Sequence, residues 1–412
     1  MMQPYLINSV NLASVLGVSN STVNTWITEG RINPVKHDNN YSYFELDSLD
    51  FANIEAMKNS TWESEHKIKP LREYRSIELF AGAGGLALGL EQAGFSHVML
   101  NEIDKDACAT LRNNFKNVDI IEDDIHKIDF SQYKGEIDFL SGGFPCQAFS
   151  YAGKQMGFED TRGTLFFELA RAINEIQPKV FLCENVKGLV SHDAGKTFKT
   201  IANVIKGLGY FLVPPRVLKA VMYKVPQKRE RIFLVGIKQE YANKVNFYWP
   251  SPYNKVMTLK NAFYAGELFD TDVPQSDGQK YPKRKAEILS LVPQGGNWKN
   301  LPDDLQREFM KGSYKLAGGK TGIARRLSLD EPSLTLTCAP AQKQTERCHP
   351  LETRPLTVRE YARIQTFPDC WEFAGNLTSQ YKQIGNAVPV NLANAMGHSL
   401  IRLMNDIEMI GK

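Results

Sequence analysis

The stretch RSIELFAGAGGLALGLEQAG, residues 75–94, reads as a strand, a glycine-rich turn and a helix. Its turn, Phe80 to Gly85, has the glycines that let a backbone approach a ligand at a helix N-terminus. Such a turn also occurs merely to pack a helix on a strand, so alone it is a weak signal. The segments downstream of it decide the fold. HVMLNEID (97–104), EIDFLSGGFP (136–145) and KVFLCENV (179–186) read as further strands, separated by helical stretches such as TLFFELARAINEI (164–176). Alternating β and α units predict an α/β fold with a doubly wound, mostly parallel sheet. Ligands of such sheets sit beyond the carboxyl ends of the strands.

Residues with useful chemistry fall at those strand ends. Glu102 follows the second strand and suits a ribose diol; Asp124 follows the next and suits an adenine amino group. Turn, ribose acid and adenine acid in series predict a nucleoside cofactor pocket. No phosphate reader accompanies it, because the two GKT-like sites lack the upstream glycine (Val190 and Tyr314 stand there), so triphosphate hydrolysis is excluded. Cys146, in GGFPCQ (142–147), would be presented at the active edge behind a rigid Pro145, where neighbours can favour the thiolate. A lone Cys after a strand is more often a small buried residue. Glu184, in ENV, follows another strand and falls on the same edge. In QKRER (227–231), Arg229 and Arg231 point the same way in extended chain. In isolation, a charge run of that kind is commonly a solvated strand end.

Composition sets outer bounds. The chain has 412 residues, 49 Lys+Arg against 46 Asp+Glu, and a net charge of +3, which argues against binding nucleic acid by bulk charge alone. The charge is uneven. Residues 1–70 hold 5 basic and 8 acidic side chains, whereas residues 280–326 hold 11 and 4. Mean hydropathy is −0.33, and no apolar run approaches the ~18 residues of a membrane span. The amino-terminal residues lack the basic start of a signal peptide, so a cytoplasmic protein with no membrane partner is expected. The six cysteines are scattered, with no paired ligand spacing, so neither a disulfide framework nor a metal site is expected.

The amino-terminal residues 1–58 read as a compact unit. Ser9 opens one helical stretch, Gly17 gives a turn, and Ser19 or Asn20 caps a second, STVNTWITEG, with Leu12, Leu16, Val18, Val23, Trp26 and Ile27 as joint core. Tyr41, Tyr43 and Phe44 look like a wing strand. The pattern resembles an excisionase- or MerR-like helix-turn-helix, which would place its second helix in a DNA major groove. A small docking domain is the competing reading, favoured by the net negative charge. Residues 59–74 are polar and read as a linker.

Taken together, FAGAGG, NEID, DDI, GGFPCQAFS, RGTLFFE, ENV, QKRER, RPLTVREYARIQTFPD and QIGNAVP stand in the order of the DNA (cytosine-5)-methyltransferases of bacterial restriction–modification systems, which the chain resembles over about 75–235 and 350–395. The resemblance implies a Rossmann-like catalytic domain (75–235), a target-recognition domain (236–380) that contains the basic window, and a return of 381–412 to the catalytic domain. It implies transfer of a methyl group from S-adenosylmethionine to cytosine carbon 5 in double-stranded DNA, with the base flipped out. Cys146 would be the nucleophile at carbon 6 and Glu184 the partner of N3, with a proton affinity raised by burial; Arg229 and Arg231 would orient the base. Cofactor contacts carried over are Phe80, Gly82, Gly84, Glu102, Asp124, Pro145, Leu165 and Asn386. The stretch 147–163 would be a loop that closes on DNA. Arg325 or Arg326 would be candidate base readers, and residues 280–326 would contact phosphates. The enzyme would act as a monomer on DNA, protecting it from a partner endonuclease, and residues 1–58 would bind operon DNA as a regulator. The alternatives are a tRNA cytosine methyltransferase, disfavoured by the long recognition segment, and a regulator with secondary enzyme activity.

Overall fold

A computed structural model describes residues 5–144, 165–315 and 321–410. In chain order, the strands begin with β1 (Leu6–Asn8), β2 (Lys36–His37) and β3 (Ser42–Glu45). The body follows with β4 (Tyr74–Leu79), β5 (Phe95–Glu102), β6 (Asp119–Glu122), β7 (Phe139–Gly142), β8 (Val180–Val186), β9 (Tyr210–Leu212) and β10 (Arg216–Lys219). The last three are β11 (Gln227–Lys228), β12 (Glu230–Lys238) and β13 (Ser333–Leu334). No helix among the described residues is long and apolar enough to cross a membrane.

The chain folds into two compact units. One comprises residues 61–219, 230–251 and 390–412, the other residues 1–60, 220–229 and 252–389. The first contains an eight-stranded sheet of order β10-β12-β8-β7-β4-β5-β6, with β9 beside β12. β4 to β8 run parallel, and β9, β10 and β12 pair antiparallel. The sheet is therefore mixed rather than uniformly parallel. Its central strands are buried on both faces, as sheets covered by crossover helices must be: Ile77, Leu79, Leu140, Phe181 and Leu234 are all fully buried. Chain order reverses at β4, whose neighbours are β5 and β7. In doubly wound sheets, ligands bind beyond the carboxyl ends of the strands at such a switch point.

The helix Gly85–Ala93 springs from β4 through Gly84 (φ 83°) and stops at Gly94 (φ 119°), both left-handed conformations that glycine adopts without strain. It packs closely on the helix Val390–Ile410. A Cβ added at Gly89 would collide with the Ala393 side chain and the Val390 carbonyl, and one at Gly397 would stand 2.5 Å from the Ala93 Cβ. The carboxyl-terminal return therefore begins at 390, while residues 381–389 belong to the other unit.

In that other unit, helices Ser9–Leu16 and Asn20–Thr28 follow each other. Asn8 caps the first, accepting from Asn11 N, and Gly17 ends it; Ser19 caps the second, accepting from Thr22 N. Strands β1, β3 and β2 form a small antiparallel sheet beside them. Leu12, Val15 and Val23 are buried, whereas Leu16, Val18, Trp26 and Ile27 are half-buried. These residues do not stand apart: residues 1–60 form one compact body with 252–389. The polar stretch 59–74 is not a free linker either. Trp62 is buried and stacks on His66, and Arg72 pairs with Asp138 at 2.6 Å and Glu408 at 2.9 Å. The charged side chains of Glu63, Lys67, Lys69 and Glu73 face solvent, while Trp62 and Arg72 tie the stretch to the body.

Candidate active site

The sheet unit gathers Phe80, Gly82, Gly84, Glu102, Asp124, Leu165, Glu184 and Arg231. Phe80 (φ 57°) and Gly82 (φ 56°) turn the chain away from β4 in left-handed conformations. For Phe80 this costs about 1 kcal/mol, tolerated where a turn is over-determined by its surroundings. Gly82 N donates to Glu102 Oε2 at 2.8 Å, and Ile103 N and Asp104 N donate to Oε1 at 2.8 and 2.9 Å. The ribose-type acid is thus fixed against the turn, with acceptor capacity left over for hydroxyl donors. A Cβ on Gly82 would meet nothing within 4 Å, so the turn faces open space. These residues fit a nucleoside ligand. Asp124 lies two residues past β6 and caps the turn Ile125–Lys127. The His126 ring, hydrogen-bonded at 2.6 Å, holds the Asp124 carboxyl below the usual carboxylate range. Leu165 opens the helix Leu165–Ile176 and packs on the sheet core.

Glu184 and Arg231 come together across β8 and β12, where Phe233 is registered with Glu184 and Arg231 with Val186. Arg231 Nε stands 2.6 Å from Glu184 Oε1, and the two side chains are 13% and 12% exposed. The other carboxylate oxygen, Oε2, lies where a Cβ on Gly143 would come within 3.0 Å. Only glycine fits comfortably there, so the GGF turn lies directly against the carboxylate. Asn185 Nδ2 donates to the Phe144 carbonyl at 2.7 Å in a fully buried bond, which ties the ENV strand to the same turn. Pro145, Cys146 and the loop 147–163 lie outside the described residues.

Arg229 and Asn386 belong to the other unit. Arg229 is 2% exposed and donates to the carbonyls of Leu336 (3.4 Å), Gly385 (3.0 Å) and Asn386 (3.2 Å). Gln227 Nε2 donates to Gln365 Oε1 at 2.8 Å, and Gln365 Nε2 donates to the Ile384 and Ala387 carbonyls. The QKR and QIGN motifs are therefore braced together through buried polar side chains. Asn386 Oδ1 accepts from Cys338 Sγ at 3.3 Å.

The basic window is less available than its composition implies. Arg326 is 5% exposed and all five of its donors are used: by the carbonyls of Val292, His349, Glu352 and Leu289 and by Thr353 Oγ1. It cannot also read a base. Arg284 pairs with Glu308, Arg307 with Asp303 and Lys285 with the buried Glu346. Lys280, Lys283, Lys299, Lys311 and Lys315 are exposed, and no ion pair to them is seen among the described residues. Sequence reading also passed over Glu78. It is fully buried in β4, accepts from Ser141 Oγ of β7 at 3.0 Å, and burial pushes its carboxyl up to about 8. A charged residue inside the apolar run SIELF was the available signal.

A family model described as C-5 cytosine-specific DNA methylase matches residues 74–402. The chain is 60% identical over 398 residues to the type II methyltransferase M.Eco47II of Escherichia coli, covering 96% of this chain and 95% of that protein. It is 58% identical over 398 residues to the type II methyltransferase M.PspPI of Psychrobacter sp. (strain TA137), with 96% and 95% covered. Among solved structures, a DNA modification methyltransferase encoded within an E. coli prophage aligns with a TM-score of 0.59 at 26% identity, over 81% of this chain and 100% of that one. The chain belongs to the C-5 cytosine-specific DNA methylase family and is a DNA cytosine-5 methyltransferase.

Proposed function

We propose that the enzyme methylates one cytosine of a specific double-stranded sequence by covalent catalysis through Cys146, and that this modification shields host DNA from a partner endonuclease. The observation that carries the mechanism is the Glu184–Arg231 pair set against Gly143, three residues before Cys146 in the chain.

Carbon 5 of cytosine is a poor nucleophile. Addition of the Cys146 thiolate at carbon 6 pushes the ring electrons towards carbon 5, and the charge developing on N3 needs a proton or hydrogen bond. Glu184 fills that role as the carboxylic acid, with a proton drawn from solvent, and donates it to N3. Arg231 holds the carboxylate in place and has further donors for the pyrimidine carbonyl. Phe80, Gly82, Gly84, Glu102, Asp124, Pro145, Leu165 and Asn386 would hold S-adenosylmethionine, which supplies an electrophilic methyl when bound. After methylation, the carbon 5 proton leaves to water or hydroxide and Cys146 is expelled, restoring aromaticity. A base inside a duplex cannot reach these groups, so the target is flipped out.

Labelled methyl donor and duplex DNA test this directly. Transfer to carbon 5 should vanish in Cys146→Ser, and a 5-fluorocytosine duplex should trap a covalent adduct; transfer to an adenine amino group, or undiminished activity in the variant, refutes the scheme. One observation favours a second role for residues 1–58 as a DNA-binding regulator. The helix Asn20–Thr28 buries only Val23 and leaves Ser21, Asn24 and Thr25 exposed. Ser21→Glu with Thr25→Glu should abolish binding to promoter DNA while methylation persists; retained promoter binding counts against it.

A further inference from the structure

Glu331 is buried, 8% exposed, yet faces more positive than negative charge. Its Oε2 stands 3.6 Å from Lys228 Nζ and 3.6 Å from Arg325 Nη2. Arg347 adds a third cation: burial, with repulsion from Arg325 added, pulls its guanidinium down to about 10. Its Nη groups bond carbonyls, those of Glu346 and Thr335. Glu346 itself is paired with Lys285. Burial also pulls the Lys228 ammonium down against the attraction of Glu331. With the Asp330 carboxylate counted beside Glu331, three cations still face two carboxylates, so the cluster carries one net positive charge. Lys228 and Arg325 keep 25% and 14% of their side chains at the surface, so an anion can reach them from solvent.

The cluster is braced from the amino-terminal segment. Tyr41 OH bonds Ser328 Oγ at 3.0 Å and donates to Glu331 Oε1 at 3.3 Å. Asn8 and Asn11 both donate from Nδ2 to the Asp330 carbonyl, at 3.1 and 3.3 Å. Two further features fix the cations. Lys228 is held in the parallel pairing of β11 with β13, and Ala324, next to Arg325, sits in a left-handed conformation (φ 46°) that a non-glycine residue keeps only when its surroundings impose it.

We propose that Lys228 and Arg325 bind one phosphodiester group of the substrate duplex, and that Tyr41 and Glu331 are positioning residues that hold the two cations for it. The proposal rests on duplex DNA being the substrate. It makes residues 1–60 a fixed part of the DNA-gripping unit, whatever else they bind.

The test uses the full chain and an oligonucleotide duplex containing the target sequence, identified by sequencing DNA the enzyme has methylated. The Lys228→Gln/Arg325→Gln double variant should flatten the dependence of log affinity on log salt by about 0.9, the share of one phosphate; each single variant should account for part of that loss, and Arg325→Lys, which keeps the charge, should restore the parent slope. Tyr41→Phe should weaken binding about 3- to 10-fold, the net worth of one ordinary hydrogen bond passed on through the cations it positions, falling on KM for the duplex rather than on kcat. In the double cation variant, Tyr41→Phe should add nothing further. Unchanged salt slopes in both cation variants overturn the phosphate site. A Tyr41→Phe effect that persists in full without the cations overturns the brace. Either failure would leave methyl transfer by the unaltered chain intact, so it is distinguishable from a failure of the enzymatic reading.

Discussion

The Arg231 guanidinium clasps the Glu184 carboxylate across two antiparallel strands, Nε to Oε1 at 2.6 Å. It joins two motifs that lie far apart in sequence and sets the direction of the carboxylate. A lysine in place of Arg231 keeps the charge but not the planar fork. Arg231→Lys should lower kcat by about 10²-fold, as loss of a preorganised donor does, with the unfolding midpoint little changed. Steady-state kinetics on duplex DNA decides it; wild-type kcat in the variant would make the pair merely structural.

Arg229 should behave differently, because its donors end on main-chain carbonyls of Leu336, Gly385 and Asn386. Arg229→Ala leaves those acceptors buried without this partner and should cost about 2–4 kcal/mol of stability. Urea unfolding reads the loss. Activity that falls in proportion to the folded fraction would mark Arg229 as a brace; loss of kcat in fully folded protein would restore it to the base-contacting role.

Glu78 gives a pH signature. Its folded carboxyl titrates near 8 because it is buried, against an ordinary value of 4.5. Between those limits the unfolded chain releases a proton that the folded chain keeps, so this group's contribution is full below about 4.5 and declines as pH rises to about 8. Glu78→Gln removes the decline. The stability of the variant relative to the parent should therefore rise from pH 5 to pH 8, measured by urea midpoints; a constant difference would mean that Glu78 is ionised in the folded protein.

The strand–turn–helix at 75–94 and the order of the strand-end acids were legible because glycine positions and apolar runs report backbone geometry directly. The pairing of Glu184 with Arg231 was legible only as a shared edge, since β12 runs antiparallel and its register against β8 depends on the whole sheet. Arg326 was misjudged for a general reason: sequence shows a charge but not whether the charge is already saturated. The same holds for residues 1–60, whose polar contacts through Asn8, Asn11 and Tyr41 look like ordinary surface residues until Asp330 and Glu331 are folded beside them.

Saturation also sharpens where salt should act. Replacing Lys280, Lys283, Lys299, Lys311 and Lys315 with Gln should flatten the salt dependence of DNA binding by about 0.9 for each lysine that meets a phosphate. Arg326→Gln should instead destabilise the protein and leave the slope of the folded fraction unchanged. Binding titrations across salt concentrations, with unfolding curves alongside, separate the two; a flattened slope in well-folded Arg326→Gln would reassign that residue to the DNA.

The helix that carries the glycine-rich turn finds its tightest neighbour very late in synthesis. Gly89 and Asn394, joined by a hydrogen bond at 3.3 Å, are 305 residues apart. A ribosome must translate residues 95–389 before the Val390–Ile410 helix can cap the helix Gly85–Ala93. Contacts of such long range form slowly and leave earlier-made surfaces exposed to chaperones and proteases. A nascent chain stalled before residue 390 would thus leave the helix Gly85–Ala93 uncovered, and methyl transfer would arise only once translation has passed the whole of residues 252–389.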